Sequence, residues 1–173
     1  MKLENLINVY EVFNTVVPVE WTHDGQRYVG VFDVDGQAFR LFLEPGYFEA
    51  PGLDYTYTFL NVAFSKFENG RDVFDLQDSG PFASKVFGAV KHAIEQKTQT
   101  LEKYDAIVFA ARDNQQQRMR VYNRLARYWA KDFGSIQENI KATSGTVVTV
   151  LMRNASAPGY KEFVDFLVQR GKI

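Results

Sequence analysis

The apolar residues of this chain change their spacing near residue 77, and that change restricts the fold. Between Val17 and Leu76, aromatic and β-branched residues alternate with polar ones. The alternating segments are separated by the turn pairs Asp24-Gly25, Asp35-Gly36 and Asn69-Gly70. Alternation between such turns predicts antiparallel strands. Beyond residue 77, segments with helical spacing alternate with short apolar runs, so the sequence predicts one α+β domain over residues 1–173.

The first half of the chain predicts a short helix followed by an antiparallel meander. Apolar residues at helical spacing predict the helix from Lys2 to Asn14. The strands that follow are predicted at Val17 to Trp21, Arg27 to Val34, Gln37 to Leu43, Tyr55 to Phe67 and Asp72 to Leu76. Two prolines and two glycines between Glu44 and Asp54 predict a loop of about eleven residues, which is long enough to carry function.

The second half of the chain predicts three helices and two strands. The first helix follows a turn from Gln77 to Pro81. The remaining elements are strands at Tyr104 to Ala111 and Gly145 to Met152, and helices at Asn114 to Phe133 and Pro158 to Arg170. The strand that begins at Tyr104 is an apolar run bounded by charge, which is typical of a strand buried on both faces.

Composition and charge exclude several classes of protein. The chain has 20 Lys and Arg against 21 Asp and Glu, no cysteine, and 46% hydrophobic residues. This content excludes a disordered chain, a disulfide scaffold and a zinc site with cysteine ligands. The apolar runs are too short to cross a membrane and the first residues do not resemble a secretory signal, so we expect a cytoplasmic protein with no membrane partner. Because the net charge is near zero, binding of a polyanion requires a local basic patch.

The order of the predicted elements resembles that of the GNAT acetyltransferase superfamily over about residues 55 to 152. In that family a loop of pattern Gln/Arg-x-x-Gly-x-Gly/Ala precedes the first of these helices and binds the pyrophosphate of acetyl-CoA. Gln77 and Gly80 match this pattern, while Phe82 stands at its last position and Ala83 follows one residue late. The resemblance implies a splayed pair of central strands and an acetyl-CoA site made of Gln77, Asp78, Ser79, Gly80 and Ala83. The alternative is a polar turn that caps the helix.

Tyr122 lies on the second of these helices, where the same family carries a segment of pattern Asn-x-x-Ala-x-x-Leu-Tyr. In this chain Gln115 and Arg118 replace the Asn and the Ala, and the tyrosine is retained. The resemblance implies that Tyr122 is a catalytic general acid for the thiolate leaving group. Its spacing with Leu125 and Trp129 favours instead a core aromatic residue whose hydroxyl has a hydrogen-bond partner.

Uncharacterised proteins of tailed bacteriophages contain a segment that resembles residues 105–134, DAIVFAARDNQQQRMRVYNRLARYWAKDFG. In those proteins a buried strand ends in a turn of small and charged residues before an Arg-Leu-Tyr helix. The resemblance implies a viral protein encoded by a bacteriophage and active in the cytoplasm of the host cell.

The same helix carries the main concentration of basic residues in the chain. Four of them recur at spacings of four, three and four, so they share one helical face: Arg120, Arg124, Arg127 and Lys131. Between Asn114 and Gly134 the one acidic residue is Asp132. Such a face suits the phosphates of nucleic acid or CoA, or an acidic protein surface. The alternative is an ordinary solvated helix face.

Two hypotheses for function follow from these patterns. The first is a phage-encoded GNAT-like N-acetyltransferase that uses acetyl-CoA with a degenerate pyrophosphate loop. The second is a non-catalytic binding protein that uses the basic helix face against an anionic host or phage macromolecule, either protein or nucleic acid. No metal site is predicted, because His23 and His92 are far apart in sequence and no acidic cluster adjoins either of them.

Overall fold

The structure is a computed structural model and describes residues 16–73, 81–98, 103–112, 114–133, 137–141, 145–153 and 158–170. These residues form a mixed α+β fold with eight strands in one sheet and three helices. The predicted α+β class is therefore confirmed, and the GNAT-like arrangement stays a prediction. The predicted helix from Lys2 to Asn14 lies outside the described residues.

The first half of the chain forms an antiparallel meander of five strands. They are β1 (Glu20–Asp24), β2 (Arg27–Val34), β3 (Gln37–Glu49), β4 (Thr56–Glu68) and β5 (Arg71–Val73). Each strand pairs with the one before it. Asp35 and Gly36 turn the chain between β2 and β3, and Asn69 and Gly70 turn it between β4 and β5, all four with a positive φ. Asp-Gly and Asn-Gly pairs favour this backbone conformation, so these two predicted hairpins form where expected. The first hairpin turns at Gly25 and Gln26, one residue later than the predicted pair Asp24-Gly25.

The second half of the chain adds three helices and three strands. They are α1 (Pro81–Thr98), β6 (Ala106–Arg112), α2 (Gln116–Phe133), β7 (Gln137–Lys141), β8 (Thr146–Met152) and α3 (Tyr160–Arg170). β6 joins the sheet parallel to β4, β8 pairs antiparallel with β6, and β7 pairs antiparallel with β8. The strand order is β1-β2-β3-β4-β6-β8-β7, with β5 paired to β4 off this path.

Helices cover both faces of the sheet. On one face, α1 and α2 bury Val90, Leu125 and Trp129 against the strands. On the other face, α3 buries Phe163 and Leu167. β6 is an inner strand between β4 and β8, and its apolar residues are buried on both faces, as the apolar run predicts.

β3 is longer than the sequence predicts. The residues from Glu44 to Glu49, predicted as part of a loop, continue the antiparallel pairing with β4. Proline has no backbone N–H to donate to a neighbouring strand. Pro45 lies beyond Leu43, the last residue of β3 that pairs with β2, so no hydrogen bond to β2 is lost there. At Gly46 a Cβ would lie 2.6 Å from the Phe59 ring, so the glycine permits close contact. The loop prediction is therefore wrong for residues 44–49, where Pro45 lies at a free strand edge and Gly46 permits a close contact. It is confirmed for residues 50–54, which lie in the connection from β3 to β4.

Other boundaries differ from the predictions by a few residues. β1 begins at Glu20 instead of Val17. The sequence does not predict β7, because its residues Gln-Glu-Asn-Ile-Lys show no apolar alternation. β7 is an edge strand held by backbone pairing with β8, and edge strands tolerate polar side chains.

Candidate functional site

β4 and β6 separate at their carboxyl ends. Their parallel pairing ends at Val62 of β4 and Phe109 of β6. Beyond these residues β4 continues to Glu68 and β6 to Arg112, but the two strands no longer pair with each other. Ligands of α/β proteins bind in crevices at the carboxyl ends of strands, so the groups in this gap are candidates for function.

The hydroxyl of Tyr122 lies at this divergence. Its oxygen accepts a hydrogen bond of 3.2 Å from the backbone N–H of Phe64 on β4. It accepts a second hydrogen bond, of 3.0 Å, from Nε of Arg118 one turn earlier on α2. The Tyr122 ring packs edge-on against Phe64 and stacks on Phe109, with centroid separations of 5.5 and 5.1 Å. A β4 amide beyond the pairing with β6 is therefore satisfied by a side chain of α2.

Tyr122 and Arg118 form a buried polar pair. Tyr122 is 1% exposed and Arg118 is 6% exposed. Burial raises the pKa of the Tyr122 hydroxyl because it penalises the phenolate, and the Arg118 charge and the Phe64 N–H offset part of this rise. Nη1 of Arg118 also donates to the amide oxygen of Gln115 at 3.0 Å. Tyr122 is thus a core aromatic residue with a bonded hydroxyl, and its role as a general acid stays a prediction.

β5 covers the next part of the same β4 edge. Lys66 of β4 pairs with Phe39 on β3 and with Val73 on β5. Because a strand has two edges and β3 occupies one of them, β5 lies on the edge that faces β6. The edge of β4 that diverges from β6 is therefore hydrogen-bonded within the protein, by the Tyr122 hydroxyl at Phe64 and by β5 beyond it.

The predicted acetyl-CoA loop lies mostly outside the described residues, which applies to Gln77, Asp78, Ser79 and Gly80. α1 begins at Pro81, and Ala83 is half-buried in its first turn. The pyrophosphate site therefore stays a prediction.

The outer face of α2 carries three exposed arginines, as the spacing predicts. We call it the basic face, and its residues are Arg120, Arg124, Arg127 and Lys131. The three arginines are exposed, and none forms a salt bridge with a described residue. Nη1 of Arg124 lies 3.4 Å from the hydroxyl oxygen of Ser84 in the first turn of α1. The backbone of Lys131 continues the same helix, and its side chain lies outside what the structure describes.

The helical layer that contains the basic face is strongly positive. α1 and α2 together have eight Lys and Arg against two Asp and Glu. The whole chain has 20 against 21, so these two helices have a formal charge of +6 and the rest of the chain has −7. One of the two acids, Glu95, accepts a hydrogen bond from Nε1 of Trp129 at 3.0 Å and lies 3.5 Å from Nζ of Lys91. The formal charge of the chain is therefore unevenly distributed, with the positive excess on α1 and α2.

Sequence reasoning misses two residues of these sites. Arg118 is inside the fold, and its spacing of four from Tyr122 is the signal that would pair the two side chains. Tyr128 is 47% exposed and lies one turn after Arg124, beside the basic face. Nζ of Lys91 is 4.4 Å from the centroid of the Tyr128 ring. The basic face and the buried Tyr122 lie on opposite sides of α2, so the structure does not bring these two predicted sites together.

Potential metal ligands are dispersed over the part of the chain that the structure describes. Within the described ranges, no three His, Asp or Glu side chains group closely enough to hold a metal ion. His23 lies on β1 with its ring 4.1 Å from that of Tyr28, and His92 lies on α1. None of the described helices is long and apolar enough to cross a membrane.

Comparison of the chain with known protein families, with curated proteins and with solved structures gives no match. Two places carry most of the polar chemistry described above: the divergence of β4 and β6, and the basic face of α2.

Proposed function

We propose that this chain is a non-catalytic binding protein that holds an anionic macromolecule against its basic face. The observation that carries the proposal is the exposure of Arg120, Arg124 and Arg127 on one side of α2, with no carboxylate within salt-bridge distance among the described residues. Alternating charges of both signs are typical of a solvent-exposed helix face that is stabilised by salt bridges. The exposed charged side chains that the structure describes on α2 are Arg120, Arg124 and Arg127, all of them positive, so this face lacks that balance. Such a surface attracts polyanions and steers their approach.

The arginines of the basic face repel one another in the free protein. Like charges one helical turn apart destabilise a helix by about 0.2–0.5 kcal/mol for each pair. A bound polyanion would relieve this repulsion. Removal of two arginines, in contrast, should leave the stability of the free protein unchanged or slightly higher, within about 0.5 kcal/mol. If the face is functional, the same substitutions therefore weaken binding without weakening the fold.

Elution from immobilised heparin, a generic polyanion, tests the proposal. Arg120→Glu combined with Arg127→Glu should lower the salt concentration at which the protein elutes. The matched control is Arg71→Glu combined with Lys161→Glu, at exposed positions on β5 and α3, because it changes the net charge by the same amount. If both double variants elute at the same salt concentration, net charge and not the basic face governs binding, and the proposal is wrong.

A GNAT-like arrangement with acyl transfer from acetyl-CoA is the second candidate. It is favoured by the divergence of β4 and β6, because the family resemblance implies splayed central strands, and by the position of the Tyr122 hydroxyl at that divergence. Two contacts weigh against it. The Phe64 N–H already bonds to Tyr122, and β5 pairs with the edge beyond it. An acetyl-CoA chain laid along this edge would have to displace both.

Titration calorimetry with acetyl-CoA distinguishes the two candidates. The binding-protein proposal predicts at most weak, salt-sensitive heat, because CoA phosphates would contact the basic face alone. Acyl transfer predicts saturable binding that disappears in Gly80→Leu while the melting temperature is unchanged. Saturable binding that is lost in Gly80→Leu would make acyl transfer the preferred function and the binding-protein proposal wrong.

A further inference from the structure

We infer that the anionic partner is a single-stranded nucleic acid whose bases stack on Tyr128 while its phosphates contact the basic face. This inference rests on the proposed function and names the partner. Proteins that bind single strands combine cations that follow the backbone with aromatic rings on which bases stack. Tyr128 provides such a ring one turn after Arg124 and next to Arg127.

The ring of Tyr128 is both supported and accessible. Nζ of Lys91, on α1, lies 4.4 Å from the ring centroid. The Lys91 side chain is 12% exposed and lies 3.5 Å from the Glu95 carboxylate, which anchors it against the ring. Tyr128 still exposes 47% of its surface. Tyrosine has few rotatable bonds, so a base that stacks on this ring costs little side-chain conformational entropy.

An acidic protein fits this surface less well than a nucleic acid. Protein interfaces are built around a buried cluster of apolar and aromatic side chains. Among the described residues, the exposed large apolar side chains are Val16, Val31, Tyr47, Leu53 and Tyr128. Of these, only Tyr128 lies on α1 or α2, so the side chains that the structure describes in this layer expose one aromatic ring among cations and no apolar cluster.

A single strand fits the surface better than a duplex. In a duplex the bases are stacked on one another, so side chains reach their edges and the phosphates but not their faces. A single strand offers the face of each base, and every base stacks on an aromatic ring regardless of sequence. The inference therefore predicts a preference for single strands with little dependence on base sequence.

Fluorescence anisotropy with the full chain tests this preference. The ligands are a labelled single-stranded oligothymidylate of about 12 nucleotides and a duplex of the same length. The wild-type protein should bind the single strand more tightly than the duplex. Tyr128→Ala should weaken single-strand binding by about 5- to 100-fold without changing its salt dependence, because no charge is removed. Tyr128→Phe retains the ring and should bind within about twofold of the wild type.

The outcomes separate the inference from the proposed function. If Arg120→Glu with Arg127→Glu weakens heparin and oligonucleotide binding but Tyr128→Ala does not, stacking is wrong and the basic face stands. Equal affinity for single strand and duplex also overturns the inference alone. So does binding to heparin without binding to either nucleic acid, because the partner is then a polyanion of another class. If the two double variants do not differ on heparin, the proposed function and the inference both fail.

Discussion

Replacement of Tyr122 by phenylalanine should destabilise the protein, although it removes a single oxygen atom. The ring contacts with Phe64 and Phe109 would remain. The oxygen, however, accepts hydrogen bonds from the Phe64 N–H at 3.2 Å and from Nε of Arg118 at 3.0 Å. Both donors are buried, since Phe64 is 0% exposed and Arg118 is 6% exposed. The substitution therefore leaves two enclosed donors without this acceptor.

The expected loss follows from the cost of burying a donor without its acceptor. That cost is about 1–3 kcal/mol for each donor and is larger for a charged group such as the guanidinium. The variant no longer buries a hydroxyl, which offsets part of the loss. We therefore expect the free energy of unfolding to fall by about 2–4 kcal/mol. A typical domain has about 5–15 kcal/mol in total, so the variant should still fold.

Urea unfolding measures this difference. Tyr128→Phe is the matched control, because Tyr128 lies on the same helix and its hydroxyl has no hydrogen-bond partner among the described residues. The control should stay within about 0.5 kcal/mol of the wild type. If Tyr122→Phe were as stable as the control, the hydroxyl would not hold the diverging edge of β4, and a chemical role for Tyr122 would gain support.

Two further predictions concern packing and pH. Gly46→Ala should lower the free energy of unfolding by about 1–3 kcal/mol, because the new Cβ would lie 2.6 Å from the fully buried Phe59 ring; unchanged urea stability would contradict that contact. The Tyr57 hydroxyl donates to the Pro158 carbonyl oxygen at 3.0 Å, and burial is the main cause that raises its pKa to about 12. Because the folded state favours the neutral phenol, the stability that the Tyr57 hydroxyl contributes is fully present below about pH 10 and is lost as the pH rises toward about 12. The stability difference between the wild type and Tyr57→Phe should therefore shrink over that range, and a constant difference would refute the assignment.

Local patterns predict most of the elements of this fold. Asp35-Gly36 and Asn69-Gly70 adopt the positive φ that their hairpins require, and this conformation depends on the two residues themselves. The apolar run of β6 predicts burial on both faces. Pro45 and Gly46 mislead the prediction, because the same residue types also serve at a strand edge and at a close contact. Which of these uses applies depends on partners far away in sequence.

The two candidate sites differ in how far sequence predicts them. Arg120, Arg124 and Arg127 share a face because the helix repeats every 3.6 residues, so their common exposure follows from spacing alone. The bond from Phe64 to Tyr122 joins residues 58 positions apart, and no local pattern predicts it. Lys91 reaches Tyr128 from another helix, so this contact also depends on how α1 packs against α2.

By itself, the sequence determined the type of most described elements, the hairpin turns and the face on which the arginines lie, because these depend on residues within one or two turns of each other. The tertiary structure alone decided that β6 lies beside β4 and that the two strands separate beyond Val62 and Phe109. It also decided that Tyr122 and β5 form hydrogen bonds with the edge of β4 that this separation leaves unpaired. It also placed the polar strand β7 at the edge of the sheet. These features arise from backbone pairing and packing between distant segments, and the spacing of apolar residues carries no information about which segments meet.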